Sequence, residues 1–275
     1  MTTVAIIGLG EAGGFYARGL RDAGYTVTGY DPFTRLDAEG VSQMPSVAEA
    51  VENAELVVSL VGARAAQDVG STALAVMKRG AIFADLNTGS PELKASMAAI
   101  AATHQVRFAD VAVLAPVPRA GVLTPLMVSG DGADAFAQIM SITGAPVESI
   151  GGAAGDAAGR KLLRSVFMKG LASVVLESVT AAEAAGQGDW LRQQIAAEFS
   201  GDAQALIERL ISGSREHAER RAHETEDAAA YLDTLGSPNW TTHAAHTWLS
   251  KLHEEQNTRR GLSSAPNNGK DSSHA

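Results

Sequence analysis

Residues 3–31, TVAIIGLGEAGGFYARGLRDAGYTVTGYD, read as a strand, a glycine-rich turn, a helix and a second strand. Apolar runs flank the turn, and Gly24 ends the helix. Gly8, Gly10 and Gly13 stand in the spacing GxGxxG directly after the strand and at the opening of the helix. The first glycine permits a tight turn, the second lets backbone approach a pyrophosphate, and the third lets helix and strand pack closely. The helix N-terminus adds free N–H groups and partial positive charge, so this loop reads as a dinucleotide cradle in which Glu11 and Ala12 also take part. Asp31 closes the second strand, where a carboxylate accepts hydrogen bonds from ribose hydroxyls and repels a 2'-phosphate. This points to NAD. Arg35, four residues on, is within reach of a 2'-phosphate and leaves NADP open.

Further short apolar runs follow at 56–61, 81–85, 106–113, 126–129 and 147–150, with helical stretches such as 90–103 and 131–140 between them. Alternation of this kind predicts an α/β fold, a Rossmann-type doubly wound and mostly parallel sheet covered on both faces. After Gly155 the strands stop. Helices are expected at 155–186, 190–199, 203–211, 215–235 and 241–255, punctuated by Gly201, Gly213 and Gly236. The expected organisation is a dinucleotide-binding domain over 1–152, an all-helical substrate and dimerisation domain over 153–257, and a polar, disordered tail over 258–275.

The stretch 155–186 is too long for an ordinary surface helix. Its apolar residues, Leu162, Val166, Phe167, Leu171 and Val175 among them, lie almost all round, which predicts burial in a core or between domains. Lys161, Ser165 and Lys169, spaced four apart, make one polar stripe on it. A buried ammonium is costly unless it is paired or loses its proton, so these lysines are site candidates; the plainer alternative is that both heads reach solvent.

With 45% hydrophobic and 19% charged residues, the 275-residue chain can bury a sizeable core. A formal charge of -9 without a long basic run argues against nucleic acid or an anionic membrane as partner. The absence of cysteine excludes disulfides, thiolate metal sites and a thiol nucleophile. His243 and His246 have no carboxylate to complete a ligand set, and no metal is expected. The early strand leaves no room for a signal peptide, and no apolar run reaches membrane-spanning length, so the cytoplasm is the expected compartment.

Taken together, GLGEAG at 8–13, Asp85-x-Asn87-Thr88-x-x-Pro91, Asp110-Val-Ala-Val113 with Ser129-Gly130, and Gly155 with Lys161 resemble the β-hydroxyacid dehydrogenase superfamily, which includes 6-phosphogluconate dehydrogenase and the imine reductases. The stretch HAERRAHETEDAAAYLDTLGSP is similar to the branch whose C-terminal domain is of unknown function. The resemblance implies that Val61, Gly62, Asn87 and Thr88 border the nicotinamide and its ribose, that Lys161 is the catalytic lysine, and that the protein is a homodimer. It also implies departures. Leu114, Ala115 and Pro116 replace a Ser-Gly-Gly substrate loop, Ser165 replaces an asparagine, and Met168 replaces the acid of 6-phosphogluconate dehydrogenase. Imine reductases usually replace the lysine that this chain keeps, which favours carbonyl or alcohol chemistry. His223 stands where many members carry a substrate-contacting lysine. Arg220 shares a helix face with Glu216 and Glu224, so a solvated salt-bridged helix stands beside the reading of an anion anchor.

The expectation is therefore an NAD(P)-dependent oxidoreductase acting on a small hydroxy or oxo compound, with Lys161 as general acid and base. The rivals are an imine reductase-like enzyme and a dinucleotide-binding protein without turnover.

Overall fold

The computed structural model describes residues 2–263. The chain divides into two compact units, Met1–Ser165 and Val166–Ala275. This division falls inside the long helix.

The first unit is an eight-stranded sheet. Its strands are β1 (Thr3–Ile7), β2 (Thr26–Tyr30), β3 (Val41–Gln43), β4 (Leu56–Ser59), β5 (Ile82–Asp85), β6 (Arg107–Val113), β7 (Leu126–Ser129) and β8 (Val147–Ser149), in the order β3-β2-β1-β4-β5-β6-β7-β8. All neighbours are parallel except β6 and β7. Strands β4, β5 and β7 are buried at every position, as near-continuous apolar runs in a two-sided sheet require. One face packs Val4, Ile6, Leu56 and Val58 against Tyr16, Leu20 and Phe136; the other packs Ala5, Ile7, Val57 and Phe83 against Leu74, Met97 and Ala101.

Helices α1 (Glu11–Asp22), α2 (Val47–Val51), α3 (Ala66–Leu74), α4 (Pro91–Thr103) and α5 (Ala133–Ser141) cover those faces. Their ends follow local chemistry. Ser46 caps α2, its Oγ accepting the Glu49 N–H and donating to the Glu49 carboxylate, and Ser90 caps α4 with Pro91 at its first position. The order of strands reverses beside β1, whose neighbours are β2 and β4, and ligands of open α/β sheets bind at such a point outside the carboxyl ends of the strands.

Helix α6 (Asp156–Ala184) runs 29 residues from the first unit into the second. The second unit continues with α7 (Gly188–Phe199), α8 (Ala203–Glu216), α9 (Ala218–Thr234) and α10 (Trp240–Ser263). Three expectations are corrected here. Gly213 lies within α8, and the break comes at His217. Residues 258–263 belong to α10, while 264–275 lie outside the described residues. The large apolar residues of α6 are not buried within the chain: Leu163 and Val166 are each 74% exposed, and Leu171, Val175 and Val179 are only half-buried.

Candidate active site

Three loops leave the sheet at the carboxyl ends of β1, β4 and β5, and the register sets them side by side, with Ile7 opposite Ser59 and Ser59 opposite Asp85. In the first loop Gly8 adopts φ +92°, and a Cβ there would overlap the Leu60 carbonyl oxygen. A Cβ at Gly13 would overlap the Gly8 carbonyl oxygen, so strand and helix meet too closely for any side chain. Gly10 is different. A Cβ there would stand in open space, and no side chain caps α1, whose first-turn N–H groups have no intrahelical partner. An open, uncapped helix start of this kind suits a pyrophosphate, with Glu11 and Ala12 in its first turn.

Asp31 lies just past β2 and is fastened on both oxygens. Leu9 N donates to Oδ2 at 2.8 Å, and the Phe33 and Thr34 amides donate to Oδ1, also at 2.8 Å each. Gln43 holds the same turn by donating to the Thr34 carbonyl and accepting from Leu36 N. A cavity of about 440 Å3 lined by Gly8, Gly10, Tyr30, Asp31, Val61 and Thr72 opens here. A second, of about 400 Å3, is lined by Asp31, Thr34, Arg35 and Gln43. Arg35 is exposed at its edge.

The β4 and β5 loops are tied together. Gly62, at φ +85°, donates its N–H to Asn87 Oδ1 at 2.8 Å, and Asn87 Nδ2 donates to Ser59 Oγ at 3.0 Å and Asp85 Oδ1 at 2.7 Å. The buried Asn87 therefore points its amide into the loops, while its neighbour Thr88 is exposed. Lys161 Nζ lies 3.5 Å from Thr88 Oγ1, the outer limit of a hydrogen bond. Burial holds this lysine below its ordinary pKa, and the positive charge of Lys94 adds to the effect; Asp110 and Asp85 oppose it. Ser165, one turn along α6, is half-buried.

Among the sequence-predicted residues, the structure brings together the glycine loop with Asp31, Gly62 with Asn87, and Thr88 with Lys161. Pro116 is exposed and opens a short 3-10 turn over 117–119, and the Leu114 N–H donates to the Pro125 carbonyl at 3.0 Å, so it is not free to receive a substrate carboxylate. Lys169, Arg220 and His223 belong to the helical unit, all exposed, and Arg220 is ion-paired with Glu224. The solvated account of Arg220 thus has a partner on the same helix. Among the described residues no cluster of His, Asp or Glu is placed to hold a metal, and no helix is long and apolar enough to cross a membrane.

Sequence reasoning missed Lys94, buried on α4, together with Ser59 and Gln43. For Lys94 a signal existed. It stands at i, i+3 and i+7 with Met97 and Ala101, a lysine on the apolar face of a helix.

Residues 3–151 match the family described as the NAD binding domain of 6-phosphogluconate dehydrogenase, and residues 182–252 match a domain of unknown function, DUF1932. A crystal structure of a conserved hypothetical protein from Sinorhizobium meliloti 1021 is 30% identical, with 91% of this chain and 88% of that one covered and a TM-score of 0.61. A probable 3-hydroxyisobutyrate dehydrogenase of Mycobacterium tuberculosis is 33% identical over 141 residues, 48% of this chain and 47% of that protein. The imine reductase of Streptomyces aurantiacus shares the fold at 21% identity, with 94% and 95% of the two chains covered and a TM-score of 0.78.

Proposed function

Because the chain belongs to the family built on the NAD binding domain of 6-phosphogluconate dehydrogenase, we propose that it is an NAD(P)-dependent oxidoreductase of small hydroxy or oxo compounds, with Lys161 as its proton donor and acceptor. Bound at the glycine loop, a nicotinamide dinucleotide supplies or accepts the hydride. The chain's own residues do the rest. Gly8, Gly10 and Gly13 let backbone N–H groups reach the phosphates, Asp31 receives the adenine ribose, and Val61, Gly62, Asn87 and Thr88 border the nicotinamide end. In the direction of reduction the Lys161 ammonium gives its proton to the substrate oxygen; in oxidation the neutral amine takes that proton back.

The observation that carries this reading is the half-buried Lys161 beside Thr88, at the same edge of the sheet as the glycine loop. Its depressed pKa brings the exchange of this proton closer to neutrality, so the rate of reduction should fall as the pH rises through a midpoint below the ordinary lysine value of about 10.4. Asp31 favours NAD over NADP, since its carboxylate would meet a 2'-phosphate. The substrate is read as an acid, held by groups other than the lost Ser-Gly-Gly loop, with Ser165, Pro116, Lys169, Arg220 and His223 as candidates. A cytoplasmic homodimer formed through the helical unit completes the proposal, supported by the apolar side chains that unit exposes.

A turnover screen with NADH and NADPH against oxo acids, aldehydes and cyclic imines tests it. Turnover of an oxo compound, preferring NADH, is expected, and Lys161→Ala should lower kcat by about 10²- to 10⁴-fold while cofactor binding persists. Turnover of imines alone would replace this reading with the reductase of C=N bonds. No turnover across the panel, with tight NADH binding, would favour a binding protein.

A further inference from the structure

Lys94 is 1% exposed, and its ammonium is enclosed by four oxygens. Nζ lies 2.9 Å from Asp85 Oδ2, donates to the Asp85 and Asn87 carbonyls at 2.9 and 2.8 Å, and stands 3.6 Å from Asp110 Oδ1. Asp85 Oδ1 in turn accepts from the Asn87 backbone N–H and side-chain amide. The lysine therefore holds the β5 loop at both its start and its turn.

The other half of the cluster reaches α6. Asp110 Oδ2 accepts the Gly155 and Ala158 N–H groups at 3.0 Å each and the Ser129 hydroxyl at 3.4 Å, while Ser129 Oγ accepts the Ala157 N–H at 3.1 Å. A strand carboxylate and a strand hydroxyl thus cap the start of the helix, and Lys161 follows Ala158 by three residues on the same face. Gly155 lies against Pro91, the first residue of α4, so closely that a Cβ would come within 2.7 Å of the Pro91 carbonyl oxygen. Asp110 Oδ1 has no hydrogen-bond donor among the described residues; only the Lys94 ammonium faces it.

We infer that Lys94 and Asp110 are positioning residues for proton transfer: Lys94 fixes the Asn87–Thr88 loop, Asp110 fixes the helix start that carries Lys161, and their mutual contact locks the two sides in register. Their charges act on Lys161 with opposite sign. The groups that face Lys161 are Lys94 from α4, Asp85 at the end of β5 and Asp110 from β6; on its own helix Asp156 is exposed and already accepts from Ala153 N. Lys94 discourages the ammonium form of Lys161, and the two carboxylates encourage it.

This inference rests on the catalytic reading of Lys161, and the test separates the two. The titration midpoint of Lys161 is read by ¹³C NMR of the reductively methylated full-length protein, assigned by its absence in Lys161→Ala, and independently from the pH profile of kcat. Lys94→Met should raise the midpoint, and Asp110→Asn should lower it. The double variant Lys94→Met/Asp110→Asn, which removes one charge of each sign, should return it towards wild type, and kcat should remain reduced because the lock is gone. Should Lys94→Met fail to fold, Asp110→Asn and the double variant carry the same comparison. A midpoint unmoved in Asp110→Asn and in whichever Lys94 variants fold, moved in one direction by both single variants, or no nearer wild type in the double variant than in Asp110→Asn would overturn the inference, since a purely structural role predicts no opposed signs. If the midpoints move as expected in NMR but Lys161→Ala keeps full kcat, the cluster tunes Lys161 and the catalytic reading is what fails.

Discussion

The sheet unit and the helical unit handle the same apolar material in opposite ways. In the sheet unit, Ile6, Leu20, Leu56, Phe83, Phe108 and Phe136 are buried almost completely, on two faces of one sheet. Among the described residues of the helical unit the buried apolar ones are alanines, Ala181, Ala218, Ala222 and Ala229, while Val166, Leu176 and Trp248 are 74%, 68% and 66% exposed. Large apolar area left in water is stability not yet realised, at roughly 25 cal/mol per Å². The sheet unit is complete within one chain. The helical unit leaves large apolar side chains in water, the feature on which the proposed homodimer rests.

The hardest way to break this contrast is at Gly13. With no side chain available to yield, Gly13→Val sets Cβ against the Gly8 carbonyl and should cost more than about 4 kcal/mol, so that the sheet unit fails to fold or to bind NADH. Retention of wild-type cofactor affinity would contradict the close-packed loop described above. Next comes the partner of the helical unit. Leu176→Ala should weaken a dimer by about 2–5 kcal/mol, the cost of truncating a buried leucine, measured as a shift towards monomer in sedimentation. If the wild type is itself a monomer at micromolar concentration, the helical unit is stable with its apolar face in water and the contrast loses its meaning.

A smaller effect is expected at Glu177. Its carboxylate accepts the Thr241 and Thr242 N–H groups at 2.7 and 2.8 Å and the Thr242 hydroxyl, capping α10 from α6. Burial pushes this carboxyl up, but the hydrogen bonds from Thr241 and Thr242 outweigh it and hold its pKa below the ordinary value. A depressed folded-state value means that the cap stabilises fully above the unfolded pKa of about 4.3 and is lost as the pH falls through the lower, folded value. Glu177→Ala should cost about 0.5–2 kcal/mol at neutral pH and less in acid. Thermal melts of wild type and variant at pH 7 and pH 3 measure this; equal losses at both would remove the cap from the account. The least effect is expected at Arg220, whose exposed pair with Glu224 is worth about 0–1 kcal/mol, so Arg220→Ala should leave stability almost unchanged and move KM only if the residue anchors an anionic substrate.

Much of the sheet unit could be read from sequence because its determinants are local. A buried parallel strand is a continuous apolar run, and the three glycines answer to steric demands set within a dozen residues. Strand β3 escaped notice because three residues, Val41–Gln43, carry no period. In the helical unit, Gly213 was expected to stop a helix, yet α8 runs through it with the Arg221 guanidinium lying against the glycine. Apolar character all round α6 was legible, but its exposure was not, because burial depends on the packing of several helices. The site divides in the same way. Asp31 and Lys161 could be singled out from the sequence, whereas Lys94 works through contacts to residues on β5 and β6, and nothing in the spacing of Asp85, Lys94 and Asp110 announces that three charges share one buried point.

The segment that replaces the Ser-Gly-Gly loop bears on redesign. Beyond Pro116, Val117 is buried, and Val122 lies so close over Gly19 of α1 that a Cβ on the glycine would overlap it. Thr124 closes this stretch with a hydrogen bond from its hydroxyl to the Gly121 carbonyl at 2.7 Å. Upstream, the Leu114 N–H is held by the Pro125 carbonyl, so Ala115 and Pro116 lie between two sets of anchors. An exchange confined to Ala115 and Pro116 would leave both moorings untouched, making this pair a cartridge through which the proposed substrate contacts could be rewritten without disturbing the sheet unit.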